Sequence, residues 1–206
     1  MKLYEFARAP NPRRVRFFMA EKGIDLATIE RPQIDIAAGE NLSEAFRQKN
    51  PMGGVPVLEL DDGTCISETM AICRYFEAID PTPALLGSTA LEQATIEMWN
   101  RRMEFNLLLP IAMAFRHTTG HFADRETVFP EYGKDSAENA LKTLNFLDTH
   151  LAKQPFIAGK AFSVADITAV VSIDFARIIK FRPDAEQHAN VLAWHTRISE
   201  RAAASV

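Results

Sequence analysis

Apolar positions at the start of the chain predict a strand followed by a helix. The run 2–6 is apolar enough for a short strand and stops at the loop 8–12, which holds two prolines. From residue 13 to 22 apolar side chains recur at helical spacing, and Gly23 is typical of the residue that follows a helix. Pro12 suits the first helical position, where no backbone N–H is used. The chain therefore begins with a strand–helix unit.

The next segment continues in the order of a small mixed sheet. A second strand is predicted at 27–30 and a short helical piece at 42–46. Residues 55–67 have the pattern of a hairpin, since two apolar runs flank the turn signal Asp-Asp-Gly. A helix with one apolar side follows over 68–79. The predicted order is βαβαββα, with helices packed on the sheet.

Two prolines within residues 80–83 interrupt this pattern and indicate a domain boundary. We therefore predict a first domain over 1–80, a linker over 81–88 and a second domain over 89–206. Every periodic segment of the second domain is helical in pattern.

Three helices of the second domain have clear signals. One is predicted over 92–115, bent at Pro110, and another over 136–151. A third begins at Ser163, because Ser163 and Asp166 have the spacing of a capping box.

Composition and charge exclude several classes of partner. The formal net charge is -4 with both signs interspersed, which indicates neither a nucleic-acid surface nor a membrane-surface patch. The first residues reach charge and proline too soon for a signal peptide, and no apolar run approaches the roughly 20 residues of a membrane span. We expect a cytoplasmic protein. Cys65 and Cys73 form neither a CxxC motif nor a disulfide framework and are typical of small buried residues.

Three segments in this order resemble glutathione transferases: residues 1–24, the segment 50–75 with NPMGGVPVLEL and ISETMAICRYF, and FIAGKAFSVADIT at 156–168. The resemblance implies a thioredoxin-like domain that binds glutathione as co-substrate and an all-helical bundle domain that completes the second-substrate site. It also implies a homodimer, no metal, and a detoxifying reaction. Glutathione would attack an electrophilic small molecule as the thiolate or reduce a disulfide.

The resemblance assigns glutathione contacts to four residues. It implies a cis Val55–Pro56 bond whose preceding backbone pairs with the cysteinyl part of glutathione; without it, a trans proline opening an edge strand would be favoured. Glu68 would take the amine of the γ-glutamyl end, and Thr69 its carboxylate at a helix start. The alternative is that Ser67, Glu68 and Thr69 only cap their own helix.

The thiolate-activating residue is less directly implied. Transferases of this fold place Tyr, Ser or Cys in the loop after the first strand, and loop 8–12 has none of them. If the usual Ser position falls on Ala9, Asn11 is the best catalytic candidate, because its amide can donate to sulfur. This resembles the nu-class subgroup, which pairs the Asn with a Thr where this chain has Ala9. The alternative is that Asn11 is the N-cap of the first helix, which would leave its amide nitrogen free.

Further positions carry weaker expectations. Gly54 replaces a lysine that the family usually has, and Arg13, Arg14 or Arg16 could compensate, although a basic run on a helix is usually a solvated face. His117 and His121 are four apart but have no third ligand motif, so no metal is predicted. Candidate walls of the second-substrate pocket, each with core packing as its alternative, are Phe6, Arg8, Phe105, Met113 and Arg116.

Two other functions are alternatives to transfer. The missing Tyr, Ser and Cys keep open a non-catalytic binding or regulatory module with the same fold. A zeta-type isomerase is disfavoured, because its Ser-Ser-Cys loop is absent. The second substrate is not predictable, since many activities share this fold and site.

Overall fold

A computed structural model describes all residues from 1 to 206. Packing divides the chain into two compact units, Met1–Leu85 with Ser205–Val206, and Leu86–Ala204. The first unit contains strands β1 (Lys2–Tyr4), β2 (Val57–Glu59) and β3 (Cys65–Ser67) and helices α1 (Pro10–Glu21), α2 (Glu44–Arg47) and α3 (Thr69–Ile79). The second contains α4 (Ala90–Met103), α5 (Leu109–Thr119), α6 (Pro130–Leu151), α7 (Val164–Ala176) and α8 (Ala189–Ser199).

The sheet of the first unit has the order β1-β2-β3 and is antiparallel throughout. Leu3 is opposite Leu58, and both are fully buried against the helices. The predicted hairpin between β2 and β3 is confirmed: Leu60 N–H donates to the Thr64 carbonyl at 2.9 Å, and Gly63 takes a φ of +86° that favours glycine.

The second predicted strand, 27–30, is not formed. Residues 26–28 make one turn of 3₁₀ helix, and the segment beyond it contacts β1 only through isolated parallel bridges. Leu3 N–H donates to the Glu30 carbonyl at 2.8 Å and Glu5 N–H to the Pro32 carbonyl at 3.0 Å. Pro32 has no N–H to return, so a continuous ladder cannot form.

Helix α1 begins at Pro10, two residues before the predicted Pro12. Both prolines are tolerated because the first turn of a helix uses none of its own N–H groups. The predicted end is confirmed: Gly23 has a φ of +72°, Ile24 N–H donates to the Met19 carbonyl, and Gly23 N–H donates to the Ala20 carbonyl. These two bonds make a Schellman cap.

The long helix predicted over 92–115 is interrupted rather than bent. A π-helical turn at Glu104–Leu108 separates α4 from α5, directly before Pro110. Pro110 cannot donate to the carbonyl four residues earlier and would clash with it. That carbonyl, on Asn106, instead accepts a hydrogen bond from the Thr143 hydroxyl of α6 at 2.7 Å. The proline thus explains the location of the π turn.

The capping box predicted at the start of α7 is confirmed. Asp166 accepts from Ser163 N–H at 3.0 Å and from two distant donors, Ile157 N–H and the Trp194 indole, each at 2.9 Å. Its side chain is completely buried, and burial raises the pKa of the Asp166 carboxyl to about 6 against the effect of these donors. One residue therefore joins the start of α7 to the core of the second unit.

Helix α8 is capped from another helix. His188 at its N-terminus makes no side-chain cap, and Asp148 of α6 accepts from Asn190 N–H at 2.8 Å and Val191 N–H at 3.0 Å. Asp148 also accepts from the Asn190 side chain at 2.9 Å. No helix of the structure combines the length and the apolar character that crossing a membrane requires.

Candidate functional site

The register of the sheet brings the predicted glutathione contacts to one end of the first unit. Tyr4 is opposite Val57, and Val57 is opposite Ser67. Because neighbouring strands are antiparallel, the end of β1, the start of β2 and the end of β3 lie at the same end of the sheet. Three segments extend from that end of the sheet: the loop to Asn11, the Val55–Pro56 pair and residues Glu68 and Thr69.

Asn11 is not the N-cap of α1. The cap position is Ala9, which makes no side-chain bond, and Asn11 is the second residue of the helix. Its Oδ1 accepts from Arg14 Nη1 at 3.1 Å. Since a guanidinium only donates, this bond fixes which way the amide faces and leaves Nδ2 unbonded. The amide nitrogen is therefore free, as the cap hypothesis implied, although the partner of the oxygen is different.

The first turn of α1 offers few backbone donors. Pro10 and Pro12 have no N–H, and Arg13 N–H is directed at the Ala9 carbonyl at 3.5 Å. The N–H of Asn11 has no partner within the protein. Asn11 therefore carries two unpaired donors, its backbone N–H and Nδ2, close to the positive end of the helix dipole. Ala9, two residues earlier, adds no hydroxyl.

The Val55–Pro56 peptide bond is cis, as the resemblance implies. The edge-strand alternative is wrong, because Pro56 directly precedes β2, the central strand of the sheet. Val55 is half-buried, and its backbone N–H and carbonyl have no partner in the protein. An extended peptide can pair with such a backbone as an added strand does.

Two side-chain amides shape the loop before Val55. Asn50 donates to the Gly54 carbonyl at 2.8 Å and accepts from Met52 N–H at 3.1 Å. Asn41 donates to the Gly53 carbonyl at 2.8 Å. Gly54 itself is exposed, and a Cβ there would be 3.5 Å from Asn50 Nδ2, an ordinary contact. Position 54 therefore has room for a side chain, so lack of space does not explain why the family's lysine is absent here.

Glu68 has an unusual backbone for a residue with a side chain. Its φ is +72° and its ψ 124°, a conformation that favours glycine and costs about 1–3 kcal/mol in other residues. The side chain is exposed and does not cap α3. A strained, uncapped residue of this kind is typical of a ligand clamp.

The N-terminus of α3 is open. The first intrahelical bond runs from Ile72 N–H to the Glu68 carbonyl at 3.0 Å, and the preceding N–H groups of the helix have no partner. The Thr69 hydroxyl has no partner either, although the residue is buried. Ser67, Glu68 and Thr69 thus do not cap their own helix through their side chains, and the turn presents donors suited to a carboxylate.

Arg14 and Arg16 do not lie on a solvated face. They are 2% and 5% exposed, and they contact Asn11 and Glu5 respectively. Their burial makes them supports of the first unit rather than open cations for a ligand carboxylate.

The predicted second-substrate residues are divided between the units. Phe6 is half-buried and Arg8 exposed in the first. Met113 and Arg116 share one face of α5 because they are three residues apart, but Arg116 forms an ion pair with Glu126.

Phe105 belongs to an exposed apolar stripe on the second unit. Its side chain lies on the π turn and is 58% exposed. Leu91 and Met98 precede it at steps of seven residues, and Leu109 follows, with 78%, 42% and 47% exposure. Steps of two helical turns keep these side chains on one face.

The histidines of α5 and the following loop have other partners. His117 Nδ1 accepts from Phe129 N–H at 3.2 Å, and the His121 ring lies 5.1 Å from that of Phe115.

Comparison with known proteins agrees with this architecture. The chain matches the family model of the glutathione S-transferase N-terminal domain over residues 9–79 and that of the C-terminal domain over 107–202. It is 39% identical over 203 residues to glutathione S-transferase 2 of Saccharomyces cerevisiae, covering 98% of this chain and 86% of that protein.

Solved structures give the same result. The crystal structure of Gtt2 from Saccharomyces cerevisiae superposes with a TM-score of 0.94 at 38% identity, covering 100% of this chain and 99% of the other. A glutathione S-transferase domain-containing protein of Marinobacter aquaeolei VT8 gives 0.92 at 38% identity, covering 99% and 100%. The chain belongs to the glutathione S-transferase family.

Proposed function

We propose that the first unit binds glutathione as the thiolate, with Asn11 as the residue that activates the sulfur. Membership of the family makes the chain a glutathione transferase. The observation that carries the assignment of residues is the sheet register. It brings three features to one end of the sheet: the two unpaired donors of Asn11, the unpaired backbone of Val55 and the open start of α3.

Each proposed contact matches one group of glutathione. Val55, beside Pro56, pairs with the cysteinyl backbone, Glu68 binds the α-amine, and Thr69 with the free N–H groups of α3 binds the γ-glutamyl carboxylate. A free thiol has a pKa of roughly 8.5, so it is mostly protonated at neutral pH. The donors of Asn11 favour the charged form and lower that pKa.

The chemical step follows from a stabilised thiolate. Its sulfur attacks an electrophilic carbon, the new S–C bond forms, and the leaving group departs with the bonding electrons. With a disulfide substrate the thiolate attacks one sulfur, a mixed disulfide with glutathione forms, and the other sulfur leaves as a thiolate as the original S–S bond breaks. Phe6, Arg8, Phe105, Met113 and Arg116 remain proposals for the second-substrate pocket.

Titration with glutathione and a turnover assay test this function. We expect saturable binding and a thiolate absorbance that is already present at a pH below the pKa of free glutathione. We also expect turnover with 1-chloro-2,4-dinitrobenzene or 2-hydroxyethyl disulfide. Binding without turnover on either substrate would favour the non-catalytic module. Absence of binding would overturn the proposed site.

We further propose a homodimer that acts in the cytoplasm. The exposed stripe Leu91, Met98, Phe105 and Leu109 supports an apolar interface between two copies. Neither cysteine forms a disulfide, which fits a reducing compartment. A detoxifying role follows from the family and from the broad class of electrophiles that such a thiolate attacks.

A further inference from the structure

The backbone of Ala7, in the middle of the loop between β1 and α1, is held from both sides. Ala7 N–H donates to Gln33 Oε1 at 3.0 Å, and Arg16 Nη2 donates to the Ala7 carbonyl at 3.1 Å. Gln33 lies 26 residues after Ala7, and Arg16 lies nine residues after it, in α1. Both polar groups of a single loop residue are therefore fixed by side chains of other segments.

Glu5 links these two side chains. Arg16 Nη1 forms an ion pair with Glu5 Oε2, and Gln33 Nε2 donates to Glu5 Oε1 at 3.2 Å. Glu5 is 1% exposed. A buried ion pair is a weak source of net stability, because desolvation offsets the attraction. The planar guanidinium is, however, well suited to fixing geometry, since it donates to a carboxylate and a carbonyl at once.

Little freedom remains between Ala7 and Asn11. Ala9 N–H donates to the Phe6 carbonyl at 2.9 Å, so the intervening residues form a tight turn. Helix α1 then starts at Pro10, whose ring fixes φ. A displacement of the Ala7 peptide would therefore be transmitted to the donors of Asn11.

We propose that Glu5, Arg16 and Gln33 are positioning residues that fix the Ala7 backbone and so hold the two donors of Asn11 in place for the glutathione sulfur. This inference rests on the proposed function. The three residues act through the loop and not by contact with the substrate.

Gln33→Ala is the main test, because Gln33 is exposed and its loss leaves the Glu5–Arg16 pair intact. We expect the pKa of bound glutathione thiol to rise by about one unit, which is roughly ten-fold less thiolate and ten-fold slower turnover below that pKa. The KM for glutathione should change less than about two-fold, because Val55, Glu68 and Thr69 supply the binding. Arg16→Lys should also raise this pKa, since lysine has no rigid fork.

Arg31→Ala is the matched control. Arg31 Nη1 approaches the same Glu5 Oε1, at 3.6 Å, but its side chain forms no hydrogen bond with the loop. This variant should leave the thiolate pKa unchanged. An equal rise in Arg31→Ala would assign the effect to the charge around Glu5 and overturn the positioning role.

A double variant separates this inference from the proposed function. In an Asn11→Ala background, Gln33→Ala should cause a clearly smaller further rise in thiolate pKa, because only the backbone N–H of residue 11 is left to be positioned. A full further rise there, or no rise in the parent background, would overturn the positioning role alone. A parent protein that neither binds nor ionises glutathione would instead overturn the proposed function.

Discussion

At the scale of single residues, the Asn11 side-chain amide has a fixed orientation and an unbonded donor, Nδ2. Arg14 is buried and fixes the amide oxygen, so the amide nitrogen has one direction rather than two. Prolines on either side remove the competing backbone donors. Asparagine does not act as an acid or a base, but an amide N–H held in a fixed direction can still stabilise an anion.

Asn11→Asp tests this role without removing the partner of Arg14. Aspartate still accepts from Arg14 and is favourable in the first turn of a helix, so the melting temperature should stay near that of the parent. It places a negative charge beside the sulfur, so ultraviolet titration should show a raised thiolate pKa. Asn11→Ala should raise it as well, at a stability cost of about 1 kcal/mol from the lost Arg14 bond. An unchanged thiolate pKa in Asn11→Asp would mean that the Asn11 side chain does not contact the sulfur.

Glu68 allows strain and binding to be separated. Glu68→Gly should raise the free energy of unfolding by about 1 kcal/mol, because glycine tolerates a φ of +72°. The same change, like Glu68→Ala, should weaken glutathione binding by roughly 5- to 150-fold, the value of about 1–3 kcal/mol for a lost charged contact. Thr69→Ala should weaken binding without unfolding. Chemical denaturation and calorimetric titration measure the two effects; unchanged affinity in all three variants would exclude this clamp.

At the scale of elements, the starts of α3 and α8 differ in what meets their N–H groups. The open start of α3 is available for a ligand, whereas the start of α8 is closed by Asp148 of α6. Burial of Asp148 opposes its ionisation, but the N–H of Val191, the side chain of Asn190 and the N–H of Asn190 together hold the pKa of its carboxyl below the ordinary value.

This lowered pKa predicts a pH dependence with a definite sign. A carboxylate whose pKa is lower in the folded state stabilises the fold fully above its ordinary pKa of 3.8, and that stabilisation is lost as the pH falls through the folded value. Asp148→Ala should therefore cost about 1 kcal/mol at pH 7, as loss of a cap does, and nearly nothing at strongly acid pH. Asp135→Ala is the control, because Asp135 is an exposed residue of α6 that bonds only Asn139. Denaturant unfolding of both variants at the two pH values measures the difference; an equal cost at both would contradict the cap.

Local signals in the sequence predicted the elements whose causes are local. Gly23, the turn ending at Gly63 and the Ser163 capping box each depend on residues within a few positions. The wrong expectations depend on distant partners or on a choice between equivalent signals. Pro10 and Pro12 are equally good helix starts, so the cap could not be assigned to Ala9 from the sequence.

The missed parts of the site have the same physical origin. Nothing within the basic run of α1 reveals that Arg16 meets Glu5, because the fold makes that pair. The positive φ of Glu68 is likewise imposed by the junction of β3 and α3. The sequence has no glycine at this position, so it gives no signal of that conformation. The proposed contacts of Val55 and Glu68 could be predicted only through a resemblance, since the backbone carries much of the proposed chemistry.

At the scale of the whole molecule, the exposed apolar stripe predicts the oligomeric state. Light scattering of the parent protein should give twice the chain mass of 23.1 kDa. Phe105→Glu should shift the equilibrium toward monomer, because it buries a charge in the interface. Phe129→Glu is a matched control, since Phe129 is also 58% exposed but lies outside the stripe. A parent protein that is monomeric at micromolar concentration would reject the dimer, and equal effects of the two variants would reject the stripe as its interface.

The two tryptophans give the protein an uneven optical signature. Trp99 and Trp194 both lie in the second unit, one with its ring 4.2 Å from the His150 ring and the other fully enclosed and bonded to Asp166. Intrinsic tryptophan emission therefore reports on the second unit alone. A denaturation curve followed at that emission will miss an independent unfolding of the first unit, and only a comparison with circular dichroism will reveal whether the two units melt together.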